Sequence, residues 1–380
     1  MKPRVLIFSV AYEPLVGGAE LAVRNITDRL SSYEFDLVTC RFSRRHKARE
    51  RIGNVNVYRV GFGSRVGRYL YPVFAWRQAR QLHRKRPYAA VWSIMAAYAG
   101  AAALMFLRRF PKVKYLLTLQ EGDSFEHIRK RVRGFKKVWQ EVFKRADYIQ
   151  AISRYLADWA KTEGAECSIE IVPNGVDPLS FSPLQRGRLR GGKTIITTSR
   201  LVPKNGIDIL IRGFAVIASG SHPFGGSPVA RQSQLQILGS GPDEAKLKKL
   251  VKELNVADKI QFFGHVEPQK IPAYLAAADI FVRPSRSEGL GSSFLEAMAA
   301  GLPVVGTNVG GITDFLKDGE TGLLTRPEDP KDLAQKIQRL LDDAGLRQKL
   351  GENGRNLVEK NYSWERVAGQ MDEIFKKLLV

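Results

Sequence analysis

Short apolar segments alternate with longer amphipathic segments along almost the whole chain, and this alternation restricts the possible folds more than any other feature. The apolar segments have the length of buried strands, and the segments between them have helical periodicity. Alternating strands and helices are typical of α/β proteins with a doubly wound parallel sheet. The pattern runs through residues 5–172 and starts again at Thr194. It predicts two Rossmann-like domains, 1–185 and 190–361, joined by the polar linker 184–193.

Positive charge is concentrated in the first half of the chain. Of the formal net charge of +22, residues 1–190 contribute +19, from 35 Lys and Arg against 16 Asp and Glu. Residues 191–380 contribute only +3, from 25 against 22. This asymmetry indicates an anionic partner for the first domain, although a basic run is often only a solvated face. We expect no nucleic-acid partner, since an aromatic stacking platform between the basic residues is missing.

The basic residues form three clusters that indicate contact with an anionic membrane surface. The clusters are Arg41–Arg51, Arg77–Arg86 and Arg129–Lys137. Three aromatic residues, Trp76, Phe135 and Trp139, lie within or beside them and could add interfacial anchoring.

Other features define the compartment and the relation to the bilayer. Only Cys40 and Cys167 occur, so a disulfide framework and a cysteine metal site are not predicted, and a reducing compartment fits. The first apolar segment, VLIFSVA, is too short for a secretory signal and predicts a strand. The uncharged run Ala89–Leu107 is long enough to span a bilayer, but a buried strand and helix explain its 19 residues as well. Residues 219–233 lack periodicity and predict a surface insertion.

The segment 284–311, PSRSEGLGSSFLEAMAAGLPVVGTNVGG, predicts a polar site where a loop, a helix and a strand converge. Glu288 and Glu296 lie eight residues apart, and Gly289 and Gly291 would allow backbone amides to approach a ligand closely. Ser292 or Ser293 is the expected helix cap. The alternative is that both glutamates are ordinary solvated charges.

These residues resemble the Glu-x7-Glu signature of glycosyltransferase family 4, whose members are retaining enzymes with the GT-B fold. The positions that match the family are Pro284-Ser285, Glu288-Gly289, Glu296-Ala297-Met298, Gly301 and Gly310-Gly311. The pentapeptide Pro173–Asp177 (PNGVD), at the end of the first domain, also matches this family. The resemblance implies two Rossmann-like domains facing a central cleft, with a last helix, 362–380, that crosses back to the first domain.

The resemblance also implies roles for residues that bind a nucleotide-sugar donor. Glu296 would hold the ribose hydroxyls and Glu288 the hydroxyls of the donor sugar. Arg200 and Lys204 would flank the diphosphate, although Asn205 stands directly before Gly206, one place after the lysine. The resemblance makes Glu288, Arg200 and Lys204 the catalytic candidates, and the remaining donor-binding residues would be Gly17, Gly18, Asn205, Val266, Gly289, Leu290 and Gly291.

Two sequence patterns that are common in glycosyltransferases are missing here, a metal-binding motif and a histidine near the acceptor site. The chain contains no Asp-x-Asp, so we expect neither a metal nor another cofactor, and side chains and amides must offset the diphosphate charge. Many relatives have a histidine after the fourth strand of the first domain, where this chain has Gln120 and Glu121. Gln120, Glu121 and Asp123 are the candidate acceptor contacts, whereas His127 is expected to be an ordinary helix residue.

The sequence therefore predicts a retaining, metal-independent hexosyltransferase that uses a nucleotide sugar, with UDP-sugars favoured and GDP-mannose next. The acceptor would be a membrane-associated or lipid-linked glycan in cell-envelope polysaccharide or glycolipid synthesis. The protein would be cytoplasmic, at the inner face of the cell membrane. The alternatives are a GT-B sugar-nucleotide epimerase and a non-catalytic polyanion-binding protein.

Overall fold

The computed structural model describes residues 2–15, 17–181, 193–219 and 228–380. It divides into two compact units, one formed by Met1–Gly175 with Trp364–Val380 and the other by Val176–Ser363. Most of the predicted linker, 184–192, lies outside the described residues, as do positions 220–227 of the predicted insertion. The insertion ends in one helical turn, Pro228–Arg231.

Unit 1 is built on an eight-stranded sheet with the order β3-β4-β2-β1-β5-β6-β7-β8. Its strands are β1 (Arg4–Phe8), β2 (Glu34–Cys40), β3 (Arg49–Ile52), β4 (Val55–Val60), β5 (Ala90–Ile94), β6 (Lys114–Leu119), β7 (Tyr148–Ala151) and β8 (Ser168–Ile171). Its helices are α1 (Gly18–Arg29), α2 (Tyr71–Lys85), α3 (Tyr98–Arg109), α4 (Phe125–Val132), α5 (Lys136–Lys144), α6 (Arg154–Thr162) and α14 (Trp364–Leu379), and 3-10 turns occupy Arg65–Tyr69 and Arg133–Phe135. All neighbouring strands are parallel except β3 and β4.

The antiparallel edge strand β3 was not expected from the sequence. Part of the basic cluster Arg41–Arg51 forms this strand and pairs with β4. Arg59, on β4, is buried, forms an ion pair with Glu50 and donates a 2.9 Å hydrogen bond to the Lys47 carbonyl oxygen. This arginine therefore stabilises the edge of the sheet and adds no surface charge.

The uncharged run Ala89–Leu107 forms strand β5 and helix α3. Most of the α3 side chains are buried, among them Ala102, Phe106 and Leu107. In the described part of the chain, no helix is both long and apolar enough to cross a membrane. The run is therefore one half of a βαβ unit that β6 completes, with β5 and β6 parallel.

Trp139 was predicted as an interfacial anchor, and this prediction is wrong. Its side chain is 5% exposed, and its indole N–H donates a 3.0 Å hydrogen bond to Glu163. Trp159 donates to the same carboxylate at 3.0 Å, and Arg129 donates to it at 3.2 Å. A buried carboxylate thus collects three N–H donors, which requires both indoles to point inward.

The C-terminal helix α14 belongs to unit 1, as predicted. Phe375 lies 5.2 Å from Tyr33 and 5.5 Å from Trp92 between ring centroids, inside the core of this unit. Trp364 covers Gly175, where an added Cβ would lie 2.6 Å from the indole ring. Arg29 of α1 forms a 2.9 Å ion pair with Glu365 at the start of α14.

Unit 2 contains a parallel six-stranded sheet with the order β11-β10-β9-β12-β13-β14. Its strands are β9 (Thr194–Thr198), β10 (Gln234–Leu238), β11 (Ile260–Gly264), β12 (Ile280–Arg283), β13 (Val304–Thr307) and β14 (Leu323–Thr325). Its helices are α7 (Ile207–Ser219), α8 (Pro228–Arg231), α9 (Glu244–Glu253), α10 (Ile271–Ala277), α11 (Ser292–Ala299), α12 (Pro330–Asp342) and α13 (Ala344–Asn361), and 3-10 turns occupy Pro178–Phe181, Pro203–Asn205, Pro268–Lys270 and Gly310–Asp314. The strand order has the doubly wound form, which reverses direction between β9 and β12.

Candidate functional site

The predicted donor residues of unit 2 follow the two strands at the point where the strand order reverses. Arg200, Lys204 and Asn205 come after β9, and Glu288 comes after β12. Ligands of open α/β sheets bind outside the carboxyl ends of the strands at such a switch point. The topology therefore gathers these residues, which are up to 88 positions apart in sequence, at one edge of the sheet.

The two loops at this edge are joined through their backbones. The Arg286 N–H donates a 2.7 Å hydrogen bond to the Lys204 carbonyl oxygen. Gly206 has φ +67°, and an added Cβ would lie 1.9 Å from the Pro284 carbonyl oxygen. Glycine is therefore required here, both for the left-handed backbone and for the close approach of the loops.

Glu288 is held by Arg283, a residue that the sequence analysis missed. Arg283 ends β12, is 6% exposed and forms an ion pair with the Glu288 carboxylate. It also donates hydrogen bonds to the Ser293 hydroxyl at 2.6 Å and the Ser285 hydroxyl at 3.1 Å. Its guanidinium lies 4.9 Å from the centre of the Phe294 ring. One buried cation thus fixes the orientation of the first glutamate of the signature.

The sequence did contain a signal for Arg283. It is a charged residue that directly follows the apolar run IFV, and the structure shows that all four side chains of IFVR are buried. A buried arginine requires a partner, and the glutamate five residues later is within reach of its side chain.

The glycine loop between Glu288 and α11 differs in one respect from the prediction. Gly291 occupies the N-cap position with φ +99°, and α11 begins at Ser292 without a side-chain cap. A serine cap was therefore the wrong expectation, because Ser293 accepts the hydrogen bond from Arg283 instead. The Gly289 N–H donates a 3.2 Å hydrogen bond to the Glu288 carboxylate, which further restrains this side chain.

Glu296 lies in α11 and differs electrostatically from Glu288. Burial raises its pKa to about 7, against a smaller lowering effect of the Arg283 charge. Its side chain is half-buried, and its carboxylate forms no hydrogen bond with any described residue. A partly exposed carboxylate that has lost hydration without gaining a partner is available to accept hydrogen bonds from a ligand.

The two cationic candidates occupy the turn after β9. The Arg200 side chain is exposed, and the Lys204 side chain is half-buried. Asn205 is buried, and its amide donates a 2.7 Å hydrogen bond to the Arg200 carbonyl oxygen. The structure thus shows Asn205 stabilising the turn that presents both cations.

Val266 and the glycine loop complete the predicted donor residues of unit 2. Val266 is half-buried and follows β11, next to the exposed His265. Gly289, Leu290 and Gly291 are all buried. Glu288 and Glu296 are the two carboxylates on either side of this glycine loop.

In unit 1 the predicted residues follow β1, which flanks the switch point between β1 and β5, and β6, which is the neighbour of β5. Gly17 and Gly18 begin α1 after β1, and both are exposed. Gln120, Glu121 and Asp123 follow β6, beside the end of β5. His127 is an exposed residue of α4, as expected.

Glu121 joins two loops at the edge of the unit 1 sheet. Its carboxylate accepts hydrogen bonds from the Ala96 N–H at 2.8 Å and the Gln120 N–H at 2.9 Å. Burial raises its pKa to about 7. Gln120 in turn accepts a 3.2 Å hydrogen bond from Asn174. Glu121 therefore shapes the loops after β5 and β6, and Gln120 and Asp123 are half-buried beside it.

Comparisons with known proteins match both halves of the chain. Residues 16–178 match the family model for Glycosyltransferase Family 4, and residues 185–357 match the model for Glycosyl transferases group 1. Over 257 residues the chain is 30% identical to the GDP-mannose-dependent alpha-(1-6)-phosphatidylinositol monomannoside mannosyltransferase of Mycobacterium tuberculosis. This match covers 63% of this chain and 64% of that enzyme.

Two solved structures are similar over the full length. Sucrose-phosphate synthase from Thermosynechococcus elongatus has a TM-score of 0.84 at 24% identity, covering 99% of both chains. The Anabaena protein HepE, solved with UDP-glucose, has a TM-score of 0.79 at 19% identity, covering 99% of this chain and 100% of its own. These likenesses show the GT-B fold.

Proposed function

Because the chain belongs to the family 4 glycosyltransferases with the GT-B fold, we propose that it is a retaining hexosyltransferase that uses a nucleotide-sugar donor. The acceptor that we propose is a membrane-associated or lipid-linked glycan in cell-envelope polysaccharide or glycolipid synthesis. Unit 2 would bind the donor, and unit 1 would bind the acceptor.

The unequal state of the two glutamates carries this proposal. Glu288 is fixed by Arg283, so it can hold the hydroxyls of the donor sugar in one orientation. Glu296 has no hydrogen-bond partner among the described residues, so it can accept hydrogen bonds from the two ribose hydroxyls. If both glutamates were only solvated charges, Glu288 would have no buried arginine partner and the pKa of Glu296 would not be raised.

The diphosphate would lie at the turn after β9. An arginine fork and a lysine point charge, Arg200 and Lys204, would offset the charge of the departing phosphate there. We propose that no divalent metal is required. Retention of configuration would follow from attack by the acceptor hydroxyl on the face that the phosphate leaves, with that phosphate as the base.

We propose a UDP-sugar as the first choice of donor and GDP-mannose as the second. The similarity to HepE, solved with UDP-glucose, supports a site for nucleotide sugars. The similarity to a GDP-mannose-dependent enzyme keeps the second choice open. That enzyme's name also specifies a phosphatidylinositol acceptor, which supports a lipid-linked acceptor for this chain.

The charge of the first half supports a location at the inner, cytoplasmic face of the cell membrane. A net charge of +19 in residues 1–190 favours an anionic lipid surface. Exposed basic residues of α4, α5 and the turn between them, including Lys130, Arg133 and Lys137, contribute to this surface.

A panel assay tests the proposal. UDP-, GDP- and ADP-hexoses are each incubated with the protein, with and without extracted membrane lipids, and nucleoside diphosphate and glycolipid are quantified. We expect one donor to yield both in equal amounts, and only when lipid is present. Nucleotide release with an epimerised free sugar and no dependence on lipid would favour the epimerase, and no turnover of any donor would favour a polyanion-binding protein.

A further inference from the structure

Exposed apolar side chains are concentrated in one segment of unit 1. Among the described residues, twelve large apolar side chains are exposed, and five of them lie within Phe62–Val73: Phe62, Val66, Tyr69, Leu70 and Val73. Scattered single apolar residues are normal on a protein surface, but a cluster of this kind marks an interaction site. We call these five side chains the apolar patch.

The apolar patch is held in place by the rest of unit 1. Phe62 contacts Phe74 edge to face, with 5.1 Å between ring centroids, and Tyr69 contacts Tyr98 at 6.1 Å. Directly after the 3-10 turn Arg65–Tyr69, Tyr71 is fully buried and its hydroxyl donates a 2.7 Å hydrogen bond to the Val38 carbonyl oxygen. The backbone is thus anchored while Val66 and Leu70, 70% and 50% exposed, face outward.

The sequence that contains the apolar patch is basic and lacks negative charge, and two arginines lie beside the segment. Residues 51–120 contain 13 Lys and Arg and no Asp or Glu. Arg68 stacks on Tyr69 at 4.8 Å and donates a 2.8 Å hydrogen bond to its hydroxyl. Gly63 lies against the basic loop that precedes β3, where an added Cβ would be 2.8 Å from the Arg44 backbone nitrogen.

The location within the sheet connects the apolar patch to the acceptor side. The segment begins directly after β4, so it lies at the carboxyl edge of the parallel strands. Gly17, which follows β1, and Gln120, which follows β6, lie at the same edge. A surface that meets the apolar patch is therefore on the side from which unit 1 would receive an acceptor.

We propose that the apolar patch docks on an anionic lipid bilayer, with Val66 and Leu70 entering the boundary between headgroups and acyl chains. This inference rests on the proposed function, because docking at this surface would bring unit 1 to a membrane-bound acceptor. Amphipathic surfaces with basic rims bind in this way, the apolar side chains by burial and the arginines by attraction to anionic headgroups. A second copy of this chain is a poorer occupant, because two basic rims would repel. A single-stranded nucleic acid is also poorer, because three of the five side chains of the apolar patch, Val66, Leu70 and Val73, are aliphatic and offer no face for stacking bases.

Vesicle flotation tests the docking surface with the full-length chain. The vesicles contain phosphatidylcholine alone, or phosphatidylcholine with about 30% phosphatidylglycerol. The salt concentration is about 0.15 M, at which charge–charge interactions are screened beyond roughly 8 Å. The test variant is Val66→Ser with Leu70→Ser. The matched control is Leu179→Ser, which removes a leucine that is 83% exposed from unit 2. A further variant, Phe135→Ser, removes the exposed aromatic side chain at the start of α5 and tests whether that residue anchors the protein instead.

We expect the wild-type protein to float with the anionic vesicles only, and the double variant to lose at least about tenfold in partition while Leu179→Ser does not. A fluorophore at Val66→Cys, in a Cys167→Ser background, should shift to the blue on anionic vesicles. Equal partition of the double variant and the wild type overturns the proposal. The proposal is also overturned if Phe135→Ser is the only variant that no longer binds the vesicles. It is overturned as well if single-stranded RNA abolishes vesicle binding and the fluorophore shows no blue shift.

Nucleotide-sugar affinity, measured by calorimetry in the same samples, separates this proposal from the proposed function. A protein that binds vesicles through the apolar patch but binds no nucleotide sugar would retain the docking surface and contradict the transferase. A protein that binds the donor while the double variant still floats would retain the transferase and contradict the docking surface.

Discussion

Arg283 and Glu288 form an ion pair at the end of the fourth strand of unit 2, in which the arginine is almost fully buried and the glutamate side chain is 16% exposed. Removal of one partner from such a pair leaves the other charge without compensation in a poorly hydrated place. The geometry of the glycine loop therefore depends on a residue outside the Glu-x7-Glu signature.

Replacement of Arg283 by methionine should lower the free energy of unfolding of unit 2 by about 3 kcal/mol, since it leaves Glu288 unpaired. Urea denaturation measures this change. The double variant with Glu288→Gln should recover a large part of the loss, because the unpaired charge is removed as well. Arg355→Met, which breaks a surface pair with Glu359, is the control and should cost at most about 1 kcal/mol. A similar cost for both arginines would show that the ion pair is unimportant.

Donor affinity should depend on pH through Glu296. Its pKa is raised to about 7 by burial, so below pH 7 the carboxyl is mostly protonated and above pH 7 it is ionised. Since the ionised form accepts the stronger hydrogen bonds from ribose hydroxyls, affinity should rise between pH 6 and pH 8. Calorimetry with an intact nucleotide sugar is the suitable measurement, because its diphosphate does not titrate in this range.

Two variants check this dependence. Glu296→Gln should abolish the pH dependence, and Glu296→Ala should weaken binding at least about tenfold, which corresponds to a lost charged hydrogen bond of roughly 1.5–3 kcal/mol. The account of Glu296 fails if the nucleotide sugar binds either variant like the wild type at pH 8.

Gly206→Ala should separate the two loops of the donor site. Alanine at this position would have to adopt φ +67°, and its Cβ would lie 1.9 Å from the Pro284 carbonyl oxygen. Because neither is tolerated, the turn that carries Lys204 must move. We expect a large loss of kcat/KM. Gly369→Ala in α14 is the matched control, since an added Cβ has no neighbour within 4 Å there and alanine favours the helix by roughly 1 kcal/mol. Retention of full activity by Gly206→Ala would disprove the required contact.

Glu163 should stabilise unit 1 through the two indoles. Glu163→Ala leaves the buried N–H groups of Trp139 and Trp159 without acceptors, and each unsatisfied group costs about 1–3 kcal/mol. Urea denaturation of this variant and of the exposed Glu166→Ala gives the comparison. A loss below about 1 kcal/mol for Glu163→Ala would contradict the role assigned to this carboxylate.

Turnover should persist in excess chelator. The expectation rests on the missing Asp-x-Asp and on the cations Arg200 and Lys204 at the turn after β9. The rate with EDTA is compared with the rate after addition of magnesium or manganese. Loss of activity in EDTA, restored by either metal, would refute metal independence.

Much of the fold could be predicted because it depends on local periodicity. The strands Val55–Val60, Lys114–Leu119 and Leu323–Thr325 lie within the alternating pattern, since short, mainly apolar runs between polar residues have few alternatives. Strand β3 was missed because RERI has no buried face of its own and forms only through pairing with β4. Pairing is a tertiary property that periodicity does not reveal.

The candidate site could likewise be predicted only in part, because some of its features depend on tertiary contacts. Glu288 and Glu296 could be selected from the sequence, but their different electrostatic environments could not, because these depend on Arg283 and on the burial of α11. Trp139 was misassigned because an aromatic residue in a basic segment is typical of an interfacial anchor, and only the fold shows Glu163 as its partner. The roles of these residues in binding a donor stay predictions.

The rate of nucleoside diphosphate release by Glu288→Gln shows whether the segment around Glu288 forms the donor site. The wild-type protein, Glu288→Gln and the exposed control Glu253→Gln are assayed with the preferred nucleotide sugar and membrane lipids, after circular dichroism has shown that all three are folded. We predict that Glu288→Gln lowers kcat/KM at least about 100-fold, or roughly 2.7 kcal/mol of transition-state stabilisation, while Glu253→Gln equals the wild type. Release by folded Glu288→Gln at the wild-type rate would contradict a donor site at this segment.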